Sequence, residues 1–169
     1  MSPERLGPYE TAMGGDAHGT VALYEWNLAV SAAMFETLGA VEVILRNAFH
    51  RQLVSRHADR GGTGNWYDSF GFWRYLVAKR YQTTAWPALQ KAFLHHPVGP
   101  SAPRHDVEDR MQRIHVLRNR IAHHEPIFKR NLNHDHDDML MLVGWISTEG
   151  RDWVGGISRV DALIAQRPH

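Results

Sequence analysis

Hydrophobic residues along this chain fall in a helical rhythm. From Ala17 to about His57, Leu23, Trp26, Val30, Met34, Leu38, Val41, Leu45, Phe49 and Leu53 recur at intervals of three or four with no proline between them. That spacing predicts one long helix, or two with a bend near Gly39. A second seam, Met111, Ile114, Leu117 and Ile121, predicts a helix over Asp106 to His123, and "NHDHDDMLMLVGWI" predicts another, capped by Asn131 or Asn133. Shorter pieces surround these. Ser2 and Pro3 suit the N-cap and first position of a short helix closed by Gly14-Gly15, with Asp16 capping the next. "DSFGFWRYLVAKRY" reads as a short aromatic helix ending before Trp86-Pro87, with a turn or two of helix over Ala88 to Leu94. "HHPVGPSAP" reads as a loop and residues 157–166 as a last short turn. No segment alternates with the period of two that a strand requires. The expected fold is all-α, a single domain over residues 1–169 built as a bundle of four to six helices.

Composition narrows the classes. At 169 residues, with 43% hydrophobic and 22% charged, the chain is long enough for one real core and unlike disordered sequences. It has no cysteine, so disulfides and thiolate chemistry are excluded. The N-terminus lacks an apolar signal core, and no run of uninterrupted apolar residues approaches a membrane span, so a cytoplasmic protein with no membrane partner is expected. A net charge of +1 does not announce a nucleic-acid binder, but it permits a local basic patch.

Such a patch closes the second seam. In "VLRNRIAHHEP", His115, Asn119 and His123 share one stripe of the helix, Arg118 lies between that stripe and the apolar seam, and Pro126 ends the helix with His123 and His124 in its last turn. The helix C-terminus favours a protonated imidazole, so such a histidine titrates near neutrality. Arginine offers a fork of donors to a phosphate, asparagine orients by hydrogen bonds, and histidine carries a proton to or from a ribose oxygen. Those are parts for cleaving RNA without a metal. Basic residues also decorate helix C-termini for dipole reasons alone, and spacing does not separate the two readings.

"LRNRIAHHEPIF" resembles the signature of the abortive-infection (Abi-like) proteins, a branch of the HEPN superfamily, with four residues between Arg118 and His123. Residues 23–50, 69–76 and 134–146 resemble further blocks of the same family in the same order. One departure is visible: only Asp68 stands between Tyr67 and Ser69, where the family has a longer, partly helical segment. The resemblance implies an endoribonuclease without cofactor or metal. Its composite site would form between two protomers of a homodimer, with attack by the ribose 2′-hydroxyl leaving a cyclic phosphate. His123 would be the general acid/base, Arg118 would stabilise the phosphorane and Asn119 would fix geometry.

Other residues are placed around this core. Glu42 and Arg46 form an i, i+4 pair that alone reads as a helix stabiliser; the resemblance places them near the cleft, supporting Arg118 or His123. His115 and His124 are further supporting candidates. Arg120, Lys129 and Arg130 flank the motif as candidate RNA contacts or a solvated face. "NHDHDD" offers His134 and Asp138 as the start of a metal site, although carboxylates in a first helical turn are equally expected from the dipole. The aromatic cluster Trp66, Tyr67, Phe70, Phe72, Trp73, Tyr75, Tyr81 and Trp86 reads mainly as core, with stacking on RNA bases as the alternative. The function expected is that of a toxin-type defence ribonuclease, with RNA and an antitoxin or regulatory protein as partners. The alternatives are a catalytically silent RNA-binding or protein-interaction module and a metal-dependent hydrolase.

Overall fold

A computed structural model of the chain describes residues 3–58 and 74–168, with the side chains of 55–58 left aside. Among these residues there is no strand, and the protein is all-α. Its helices are α1 (Pro3–Ala12), α2 (Ala17–Ala58), the single turn α3 (Trp86–Leu89), α4 (Arg104–Ala122), α5 (Leu132–Ile146), α6 (Thr148–Ile157) and α7 (Val160–Ala165). Three 3₁₀ turns, Lys79–Tyr81, Gln90–Ala92 and Gly99–Ser101, complete the connections.

The expected long helix is a single rod through Gly39, and α1, α4, α5, α6 and α7 all pack on it. Asp16 caps it as expected, accepting from the backbone N–H of His18 (3.1 Å) and Gly19 (2.9 Å). Gly14 and Gly15 supply the left-handed turn before it, at φ 60° and 86°. The seam Leu23, Val30, Met34, Leu38, Val41, Leu45 and Phe49 is buried against Met111, Ile114 and Leu117 of α4 and Met139, Leu142 and Val143 of α5 in one continuous core. By length and composition α2 would also cross a membrane, a property that core helices of soluble proteins share.

Asn131 caps α5, its side chain accepting from His134 N–H at 3.1 Å. Helix α6 was not expected from the sequence, because Gly150, Gly155 and Gly156 weaken its helical signal. Ser147 starts it by accepting from Gly150 N–H (3.0 Å). A Cβ on Gly150 would lie 3.3 Å from Val143 and Ser147, so glycine lets α6 fold tightly back on α5. The expected turn at 157–166 is α7, held by Trp26 Nε1 donating to Leu163 O (2.6 Å). The Ser2 cap, residues 68–73 of the "DSFGFWRYLVAKRY" segment with the shortened junction at Asp68, and Trp66, Tyr67, Phe70, Phe72 and Trp73 lie outside the described residues, while 74–76 of that segment are helical and Lys79–Tyr81 form a 3₁₀ turn.

A polar chain pins the C-terminal helices to α2. His136, buried at 2% exposure, meets Asp161 through Nδ1 (2.9 Å) and Ser158 Oγ through Nε2 (3.0 Å), and Ser158 Oγ lies 3.1 Å from Thr37 Oγ1. The connectivity is that of a serine, histidine and aspartate triad. Here, however, Ser158 Oγ also accepts from Val160 N–H (3.3 Å) at the start of α7, and the set reads as a structural clamp.

Candidate ribonuclease site at the end of helix α4

Helix α4 ends at Ala122, one residue before the predicted end, with His123 as C-cap (φ −92°, ψ 8°). His124 lies beyond it, in the left-handed region at φ 55°, where glycine is the usual occupant. Two hydrogen bonds fix this turn: His124 N–H to Ile121 O (3.0 Å) and Glu125 N–H to Arg120 O (2.8 Å). They satisfy carbonyls that the helix end would leave orphaned. The next two residues are tied to α2 by Asn27, whose Oδ1 accepts from the N–H of Ile127 (2.9 Å) and Phe128 (3.0 Å). Asn27 is buried, at 4% exposure. It is the positioning residue beside the candidate site that sequence reasoning missed, and its only signal was an amide on the core side of an apolar helix.

This geometry sets His123 on the rim of a groove of about 850 Å³ between α1, α2 and the end of α4, lined also by Tyr9, Tyr24, Ser31, Phe35 and His124. Tyr9 packs edge-on against Tyr24 (centroids 5.3 Å) and tilted on Phe128 (4.8 Å), forming the groove's aromatic wall. Burial and the neighbouring Tyr24 push the Tyr9 phenol up to about 12, against the opposing pull of Arg5, so Tyr9 stays a neutral hydroxyl. His123 and His124 are exposed, and their side chains make no hydrogen bond or ion pair among the described residues. An imidazole so placed is available to a ligand.

Arg118 faces elsewhere. It and His123 are five residues apart, about 140° around the helix. Arg118 lies beside Glu42 on α2, seven residues beyond Phe35 at the end of the groove. Burial raises the Glu42 carboxyl above its ordinary value, and Arg118 and then Arg46 pull it back down. Glu42, Arg46 and Arg118 therefore form one electrostatic group, close enough for their charges to be felt but with no ion pair within 4.0 Å among these three described residues.

Asn119 Nδ2 lies 3.1 Å from His115 Nε2, so with the amide donating the ring accepts at Nε2 and is neutral. Burial, then the charges of Arg74 and Arg118, lower His115 below its usual range, in keeping with that state. His115 thus holds Asn119 and is no reservoir of protons.

The flanking cations divide. Arg120 is exposed, 3.9 Å from Glu125, and Lys129 lies over the Phe128 ring at 5.6 Å. Arg130, expected among the RNA contacts, instead grips buried Asp135 with Nε (2.8 Å) and Nη2 (2.6 Å), so its fork is already filled. Of the "HDHDD" carboxylates, Asp135 and Asp138 are engaged and Asp137 is exposed. Asp138, at 2% exposure, accepts from Arg113 Nε (2.5 Å) and Nη2 (3.1 Å), with Arg110 at 3.4 Å and His134 at 3.6 Å. His134 and Asp138 do meet, but two arginines already neutralise the carboxylate. Among the described residues no group of three or more His, Asp or Glu is arranged to hold a metal ion.

Compared with known protein families, with characterised proteins and with solved structures, the chain matches none of them.

Proposed function

We propose that the chain is a metal-independent endoribonuclease of the Abi-like, HEPN type, acting as a homodimer in a cytoplasmic bacterial defence or toxin system. The observation that carries this reading is the end of α4. A free imidazole at His123 sits on a groove rim, and an arginine two turns of α2 away lies in the field of the Glu42 carboxylate. In one chain the two diverge, so a second copy is needed to set Arg118 and His123 around one phosphate. The exposed apolar residues Leu28 (49%), Phe35 (48%) and Val43 (46%) on the same side of α2 support such a contact.

In the reaction, the ribose 2′-oxygen attacks the adjacent phosphorus and the bond to the 5′-oxygen breaks. His123 of one protomer accepts the proton of the 2′-hydroxyl and delivers it to the leaving 5′-oxygen, across the phosphate from the partner's Arg118. Arg118 meets the charge that builds on the equatorial oxygens. The products are a 2′,3′-cyclic phosphate and a 5′-hydroxyl, and DNA, lacking the nucleophile, is inert.

The test is single-turnover cleavage of RNA by the purified dimer in EDTA. Arg118→Ala and His123→Ala should each slow it about a hundredfold or more. Wild-type protein that is a monomer at micromolar concentration, or that cuts no faster than His123→Ala, overturns the proposal and leaves a silent RNA-binding or interaction module.

A further inference from the structure

Beside the motif lies a second surface with the composition of a nucleic-acid platform. Tyr75 is half exposed (50%), with the Arg74 guanidinium 5.0 Å and that of Arg80 5.2 Å from its ring centroid; Arg80 is also 4.9 Å from the Tyr81 ring. The backbone beneath is fixed: Leu76 and Val77 are buried, and Arg104 Nη1 donates to Val77 O at 2.8 Å. Arg74, Lys79 and Arg80 have no carboxylate partner among the described residues, so three cations within seven residues are uncompensated.

The patch continues into the motif. Arg74 Nη1 donates to Gln112 Oε1 on α4, one turn before His115, and the charge of Arg74 is among the causes that depress His115. Gln112, His115, Asn119 and His123 then follow one side of α4 for about 16 Å, at 1.5 Å per residue. We propose that this patch is a strand-binding platform, on which Tyr75 stacks an unpaired RNA base while Arg74, Lys79 and Arg80 take the neighbouring phosphates. Its use for presenting a strand to His123 rests on the ribonuclease reading. Its binding of a strand does not. Uncompensated cations around an exposed planar ring match a polyanion whose bases offer flat faces. A phosphate would draw off the guanidiniums that now cover the ring and open it to a base.

The experiment uses full-length His123→Ala protein, which separates binding from cleavage, and fluorescence anisotropy with two labelled strands of equal length, oligoadenylate and its abasic counterpart. Tyr75→Ala should weaken oligoadenylate binding about fivefold or more and leave the abasic strand unchanged, while Tyr75→Phe restores affinity. Arg80→Gln should weaken both strands and lower the salt dependence by about one phosphate contact. Unchanged oligoadenylate affinity in Tyr75→Ala, equal losses on the two strands, or no binding by the parent protein overturns the platform. Absent cleavage by wild-type protein, with the Tyr75 effect intact, would overturn the ribonuclease reading alone.

Discussion

Asn27→Leu is the substitution that most directly tests how the fold presents the motif. The wild-type side chain accepts from two backbone N–H groups, Ile127 at 2.9 Å and Phe128 at 3.0 Å, in a place where Ile127 and Phe128 are 0% and 2% exposed. Leucine has a similar volume and no acceptor. Each buried donor left unpaired costs about 1–3 kcal/mol, or about 2–6 kcal/mol for the pair. Removing a buried amide and adding apolar contact returns about 1–2 kcal/mol, leaving a net loss of about 3 kcal/mol. For a domain of this size that lowers the melting midpoint by about 6–12 °C. Thermal unfolding measures the loss, and amide hydrogen exchange at Ile127 and Phe128 locates it: both amides should lose protection before the core of α2 does. Asn27→Asp keeps an acceptor oxygen at the same reach and should keep both amides protected. A midpoint shift of less than about 2 °C for Asn27→Leu, with unchanged exchange at both amides, would refute the claim that Asn27 holds the segment after His124.

Two further predictions concern the neighbourhood of α4. Asp138→Ala should cost about 2–4 kcal/mol in urea unfolding, somewhat less than a fully buried ion pair because Arg110 and Arg113 are 23% and 37% exposed and can rehydrate. A midpoint of wild-type protein that rises on adding zinc, and does so no longer in Asp138→Ala, would instead put a cation on "HDHDD". His115 has a folded pKa below its unfolded value near 6.5, so the unfolded chain takes up that proton first as pH falls. Its contribution to stability is therefore present above about pH 6.5 and is lost as pH drops from there toward the lower folded value; His115→Gln should flatten that part of the stability curve, and identical pH slopes in the two proteins would refute it.

What the sequence disclosed followed the strength of its periodicities. The seams of α2 and α4 are long, apolar and free of proline, so helix type and buried face could both be read, and Asp16 and Asn131 announced two caps by residue type. Helix α6 could not be read, because three glycines weaken its helical signal and the close approach to α5 that Gly150 serves exists only in three dimensions. The same limit applies at the site. His115 and Asn119 are one turn apart and their contact follows from spacing, but Glu42 reaches Arg118 across a helix pair and only a family resemblance pointed there. Arg130 looked like a free cation because its partner, Asp135, lies across a helix cap rather than at helical spacing.

The turn at His124 explains why those residues end up divided between two faces. A non-glycine residue in the left-handed region is disfavoured by about 1 kcal/mol or more, and it persists only where its surroundings over-determine it. Here they do: two capping hydrogen bonds close the turn from the α4 side, Pro126 bars helical continuation, and Asn27 fixes the next two amides from the α2 side. With the chain reversed at that point, His123 is held at the groove rim, while Arg118, a turn earlier, remains against Glu42. The roughly 140° of helix surface between them carries His115, Asn119 and Ala122, and the Asn119 amide is held there by the His115 ring. The separation follows from the five-residue spacing on a fixed backbone, and in the proposed dimer one protomer's His123 and its partner's Arg118 would close that gap around one phosphate.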